Sequence, residues 1–323
     1  MRGTCVLSFF LTLWGLTPHL FAEPVRVASL STVLSDLARN VGGDRVEIQE
    51  IVKAGIDPHD FEPTPGDLRR LSEARLILAS GLGFESYLAK LRGAVGSGPR
   101  LLVVGEQIKP LMMKPDEHDH DHGHDHAHQH AAADELIPDP HWWHSISNVQ
   151  MATNAIRDAL TALDPDGRSV YAANAKRYNA TLDELSRWTR VQMAKLPKER
   201  RVLVTSHDAL GYLARDYEFT ILPVEGVSTN EQPSSKKVRA LIATIRETGV
   251  PVVFAENIEN PKVLVEITRE TGATLGGVLF ADGLGEKEGS TYEAMMRHNV
   301  STIVGALLPK AKASAPTPAP SGN

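Results

Sequence analysis

The chain contains one cysteine in 323 residues, Cys5, and that scarcity removes two classes of chemistry at once. A single thiol builds no disulfide framework within the chain, and without thiolates a transition metal must be held by imidazole and carboxylate. Clustered positive charge is missing too, since the formal net charge is -6 and no basic run occurs. Nothing is present to neutralise a row of phosphates, which argues against nucleic acid and against anionic membrane surfaces as partners. Long apolar runs are confined to the N-terminus, where Arg2 precedes an apolar stretch over residues 5–21 that ends at Ala22. The stretch is shorter and more interrupted than a membrane span, so residues 1–22 are expected to be a cleaved signal peptide, with Leu20 leaving the cut open by a few residues. Cys5 stands too early to follow a complete apolar region as a lipid acceptor, and the mature chain is expected in the periplasm, cysteine-free and not a lipoprotein.

What is present is an ordinary globular balance of 42% hydrophobic and 23% charged residues, in a chain long enough for two domains. Strand-like runs at 25–29, 46–52, 76–79 and 101–104 alternate with helical spacing at 31–41, 65–73 and 84–92. A second set has strands near 202–205, 219–224, 250–254 and 274–280 and helices near 209–217, 233–247, 261–271 and 291–307. Such alternation predicts an α/β fold of two domains with parallel-type sheets. Between the sets, residues 167–196 keep helical spacing with no internal Gly or Pro, which predicts one long backbone helix linking the domains and only small domain movement. The boundaries read from this pattern are 23–166 for the N-terminal domain, 167–196 for the linking helix and 197–309 for the C-terminal domain. The Lys/Ala/Ser/Pro composition of 310–323 predicts a disordered tail. Met295 and Met296 fall on one helical face and are expected in the core.

Histidine is the residue in surplus. Seven of the 13 fall in one tract, at His118, His120, His122, His124, His126, His128 and His130, inside a loop over 115–138. Imidazoles interleaved with aspartates make a chelating surface for zinc, copper or nickel. Ordering such a loop around an ion costs roughly 1–2 kcal/mol of backbone entropy per residue, so the tract suits capture or buffering better than tight binding. Outside it, His59 and His207 stand just after predicted strands, as does Asp282, and His141 lies in Asp139-Pro140-His141-Trp142-Trp143-His144. Ligands of open α/β sheets bind beyond the carboxyl ends of strands, so these residues are expected to converge on the cleft between the domains. Three histidines and one carboxylate compose a four-coordinate set typical of zinc.

At Asp57-Pro58-His59 with Phe61-Glu62-Pro63, Asp139-Pro140-His141 with Trp143, Ser206-His207-Asp208-Ala209, Phe254-Ala255-Glu256 and residues 292–299, the chain resembles the metal-specific solute-binding proteins of zinc and manganese ABC importers, cluster A-I. The likeness runs from about 25 to 308. It implies metal ligands at His59, His141, His207 and Asp282, with Glu62 and Glu256 as supporting residues or, like water, replacements for Asp282, and Zn2+ as the transported ligand. Manganese members of that family carry a carboxylate where His207 stands, and the histidine tract resembles the zinc branch. The chain departs from many members at His144 and Ser145, which makes His144 a candidate supporting residue or transient ligand. The resemblance implies capture of zinc and delivery to the membrane permease of an ABC importer by a monomer, with a periplasmic zinc chaperone as a further candidate partner. A zinc buffer or adhesin without a permease, or an importer component for manganese or another divalent metal, are the alternatives. An enzyme is not expected, since no His-Glu-x-x-His helix occurs and four protein ligands would close the coordination sphere.

Overall fold

The structure is a computed structural model, which describes residues 23–96, 98, 100–114, 136–227, 233–258 and 261–309. The expected signal peptide, the histidine tract 118–130 and the tail 310–323 lie outside the described residues.

The first sheet is built from β1 (Val25–Ser29), β2 (Val46–Glu50), β3 (Leu76–Ala79) and β4 (Arg100–Val103), all parallel, in the order β2-β1-β3-β4. Its central strands β1 and β3 are buried almost throughout, as strands covered on both faces must be. Helices α1 (Thr32–Gly42), α2 (Pro65–Glu73) and α3 (Leu88–Val95) carry the connections. Thr64 starts α2 with a capping box, accepting from Asp67 N while the Asp67 carboxylate accepts from Thr64 N. Two short strands follow, β5 (Met112–Met113) and β6 (Ile137–Pro138), paired antiparallel.

Two long helices come next, α4 (Ile146–Leu163) and α5 (Arg168–Met193). The second sheet then repeats the first topology with β7 (Val202–Thr205), β8 (Thr220–Pro223), β9 (Val252–Glu256) and β10 (Thr274–Leu279), in the order β10-β9-β7-β8. Helices α6 (Gly211–Tyr217), α7 (Ser235–Thr248) and α8 (Lys262–Thr271) carry its connections, and α9 (Tyr292–Leu307) ends the described chain. Met295 and Met296 are fully buried in the main core cluster, as their spacing predicts.

The linking helix is α5, with 26 residues, about 39 Å long at 1.5 Å per residue. It packs on α1 and α4 from the first half and on α9 from the second, so it is joined to both. It is shorter than the expected 167–196, because a 3-10 turn over Pro165–Gly167 precedes it and a further turn follows Met193. Helix α4 is absent from the sequence expectation. Among the described residues, no helix is long and apolar enough to cross a membrane.

Candidate metal centre

Two of the converging histidines come from the same local device. In Asp57-Pro58-His59 and Asp139-Pro140-His141, the aspartate accepts the backbone N–H of the histidine two residues on, at 2.9 Å in each case. Such an Asx turn, with proline preset for its second position, fixes the direction in which the imidazole leaves the chain. Asp139 does more, since its Oδ1 also lies 2.9 Å from His141 Nδ1. In the neutral ring that bond keeps the proton on Nδ1 and leaves Nε2 as the lone-pair donor. His59 follows β2 and His141 follows β6.

The other two groups come from the second sheet. His207 follows β7, and Glu256 at the end of neighbouring β9 accepts Ser206 N–H at 3.1 Å and His207 N–H at 3.2 Å. The second oxygen of Glu256 bonds His207 Nδ1, again freeing Nε2. Asp282 follows β10, where Asn299 of α9 brackets the preceding residue by accepting Phe280 N–H at 2.9 Å and donating to its carbonyl at 2.8 Å.

These four side chains meet. The Nε2 atoms of His141 and His207 lie 3.2 Å from Asp282 Oδ1, and His59 Nε2 lies 3.6 Å from Oδ2. One ligand atom from each falls within 4.8 Å of every other. Ligands about 2.0–2.1 Å from a tetrahedral ion stand about 3.3 Å apart, close to the 3.2 Å that separates Asp282 Oδ1 from the Nε2 atoms of His141 and His207. His141 and His207 are fully buried, Asp282 and His59 nearly so. Phe84 closes one wall, edge-on to His59 at 5.0 Å and to His141 at 6.0 Å. His59 also borders an open cavity lined by Leu82, Phe84, Ile137 and Pro138.

Charge inside this buried site is shared among its members. Burial disfavours the imidazolium of His141, yet the Asp139 and Asp282 carboxylates outweigh it and raise its pKa to about 9. Burial likewise opposes, and Asp282 and Glu256 overcome it, at His207, which is held well above the usual range. Burial would raise Asp282, but His207, His141 and His59 keep it well below the ordinary carboxylate range.

Glu62, Glu256 and His144, expected as supporting residues or alternative ligands, lie outside the four-residue cluster. Glu62 is exposed and lines a groove with Tyr87 and Lys90. The Glu256 carboxylate is engaged by His207 and two backbone N–H groups. His144 turns its Nε2 to the Ala281 carbonyl at 2.8 Å, and because a carbonyl only accepts, that nitrogen carries the proton and has no lone pair for a metal. Burial, helped by His141, lowers its pKa to about 4, so the ring is neutral. His298 is elsewhere, bonded to the Val278 carbonyl. The orienting role of Asp139 was not foreseen, although the repeated Asp-Pro-His motif displays the turn that supplies it.

Residues 27–306 match the family described as ZnuA, zinc-uptake complex component A, periplasmic. The zinc-binding protein TroA of Treponema pallidum is 31% identical over 296 residues, covering 88% of this chain and 89% of TroA. The manganese-binding lipoprotein MntA of Bacillus subtilis is 30% identical, covering 88% and 90%. The iron-binding protein YfeA of Yersinia pestis is 32% identical, covering 87% and 86%. Among solved structures, the periplasmic zinc-binding protein TroA superposes with a TM-score of 0.78 at 28% identity, over 89% of this chain and 100% of that one. A manganese-bound periplasmic metal-binding protein from Candidatus Liberibacter asiaticus superposes with a TM-score of 0.75 at 28% identity, over 87% and 99%.

Proposed function

This chain belongs to the ZnuA family of periplasmic metal-uptake components, and from that premise we propose that it captures Zn2+ and delivers it to the permease of an ABC importer. The observation that carries the reading is the convergence of three imidazole nitrogens on one carboxylate at separations of 3.2, 3.2 and 3.6 Å. In this reading His59, His141, His207 and Asp282 are the ligands of the transported ion. Three nitrogens and one oxygen favour zinc over the harder manganese ion. Four protein ligands fill a tetrahedral sphere, which supports binding and leaves no open position for the water a zinc hydrolase needs. The histidine tract at 118–130 acts earlier, collecting zinc before it enters the buried site.

A manganese cargo is the second reading, favoured by relatives such as MntA, whose name is that of a manganese-binding lipoprotein. One titration addresses both. Purified mature protein, a His59→Ala/His141→Ala/His207→Ala variant and a variant lacking residues 118–130 are titrated with Zn2+ and with Mn2+. The expected result is one tight zinc site lost in the triple variant, unchanged in affinity but slower to load in the deletion, with manganese bound far more weakly. Tight zinc binding that survives the triple substitution would place the function in the tract and point to a buffer, and a preference for manganese would overturn the zinc assignment.

A further inference from the structure

Asp282 is the one carboxylate in the converging set, and its position is inherited from the segment before it. Asn299 takes up both backbone polar atoms of Phe280 from the C-terminal half. The Ala281 carbonyl points across the cleft, where two N–H groups from the N-terminal half meet it, Trp143 Nε1 at 2.8 Å and His144 Nε2 at 2.8 Å. Ala281, Trp143 and His144 are all fully buried. We propose that His144 and Trp143 are positioning residues for the metal centre, whose paired N–H groups hold the Ala281 carbonyl and so set the Asp282 carboxylate against His141 and His207. The inference rests on the reading of His59, His141, His207 and Asp282 as the metal site.

The imidazole of His144 is an expensive way to fill space. With the proton on Nε2, its Nδ1 is a buried lone pair that has no hydrogen-bond partner among the described residues. A leucine there would avoid that cost, and the Ala281 carbonyl would still be satisfied by Trp143. Stability alone therefore gains little from the imidazole. What it adds is a second donor. A carbonyl held by one donor is free to pivot about it, whereas two donors on fixed rings remove that freedom.

Both rings are fixed. The indole of Trp143 stacks edge-on to Phe84 at 4.8 Å, and its backbone carbonyl accepts the Tyr292 hydroxyl at 2.8 Å. The His144 ring lies 5.9 Å from that indole, tilted by 47°. A binding constellation has to be held within roughly 0.5 Å of its productive geometry to keep its grip. The clamped carbonyl belongs to the residue directly before Asp282, so a pivot at Ala281 moves Asp282 directly.

The test compares His144→Leu, which removes the donor at similar size, with His144→Gln, whose side-chain N–H can reach Ala281. Release of Zn2+ into excess chelator is followed by stopped flow, the visible spectrum of the Co2+ form reports the geometry of the ligands, and thermal melting of the metal-free proteins reports the fold. Expected for His144→Leu is zinc release about tenfold faster or more, altered Co2+ bands and a metal-free melting temperature within a few degrees of wild type, with His144→Gln returning most of both metal readouts. Should the Leu variant fail to fold, His144→Met takes its place with the same expectations. A folded Leu or Met variant with wild-type release and spectrum would overturn the positioning role, as would a Gln variant that releases zinc as fast as Leu. Wild-type protein that binds neither Zn2+ nor Co2+ would instead bring down the metal site itself, a result distinct from either.

Discussion

A metal enters this site only against protons. Ligation needs neutral imidazoles, yet in the metal-free protein His141 is raised to about 9 and His207 well above its usual value, while Asp282 stays ionised. At neutral pH the carboxylate is thus paired with imidazolium, and the incoming ion displaces those protons. Zinc affinity is therefore expected to climb throughout pH 6 to 8, about tenfold per pH unit for each proton displaced, and not to level off just above 6.5 as unperturbed histidines would make it. Chelator competition at three pH values in that range measures the slope, and a flat profile would sink the coupled site. The sign for the metal-free fold is opposite. A raised imidazole pKa contributes stability that is complete below the unfolded value near 6.5 and is lost as pH rises through about 9. At this scale the four converging residues were legible, because each stands at a strand end or in an Asp-Pro-His turn. Of their orienting partners, Glu256 stood out only as a supporting or alternative ligand, and Asp139 did not stand out at all. Which carboxylate touches which Nδ1 is decided by strand neighbours such as β7 and β9, and spacing along the chain does not encode that contact.

Elements with clear punctuation were read almost to the residue. Helix α2 announced itself by Thr64-Pro65 and Asp67, and the strands β3 and β7 by short apolar runs. Helix α4 lacks such punctuation, although Ile146, Val149, Thr153, Ile156 and Leu160 keep helical spacing. Its start follows directly on the 3-10 turn Trp142–His144, and its first residue's neighbour Ser145 spends its hydroxyl on Asp216 and Ser147 instead of capping the helix. Its end is Asp164, not glycine, because that carboxylate belongs to a network. Arg45 donates to both Asp164 oxygens at 2.8 and 2.9 Å, and the Tyr171 hydroxyl donates to one of them at 2.6 Å. Gly167 is what lets the turn into α5 close over this network. A Cβ there would lie 2.4 Å from Asp164 Oδ2 and 2.6 Å from both Arg45 Nε and Tyr171 Cε2. Gly167→Ala is accordingly expected to destabilise the protein by about 1–3 kcal/mol, with zinc affinity unchanged, since the network is remote from the ligands. Urea unfolding monitored beside a zinc titration separates the two effects. A wild-type unfolding midpoint would show that the turn relaxes at no cost.

At the scale of the whole molecule, the two halves are held by more than the ion. Thr32 of α1 accepts the Leu284 N–H at 2.8 Å and Asp36 accepts the Tyr292 N–H at 3.0 Å, both across the cleft and both buried. Trp143 and His144 add their bonds to Ala281, and the Tyr292 hydroxyl reaches back to Trp143. These contacts fix how the sheets face each other, and the alternating pattern of strands and helices carries no trace of them. Hinge opening of the kind that lets other two-domain proteins close around ligands would leave such groups without partners in the cleft, each at a cost of about 1–3 kcal/mol unless water replaces them. It would also have to bend or shed α5, which packs on α1, α4 and α9 together. Release of the ion is therefore expected to work through local movement of the ligand-bearing loops, with the two halves kept in place. Small-angle scattering of metal-free and zinc-loaded protein should give radii of gyration within about 1 Å of each other, small against the roughly 19 Å that a domain pair of this length presents. A larger change on loading would mean that these cross-cleft bonds break in the metal-free state and that the halves do swing on α5.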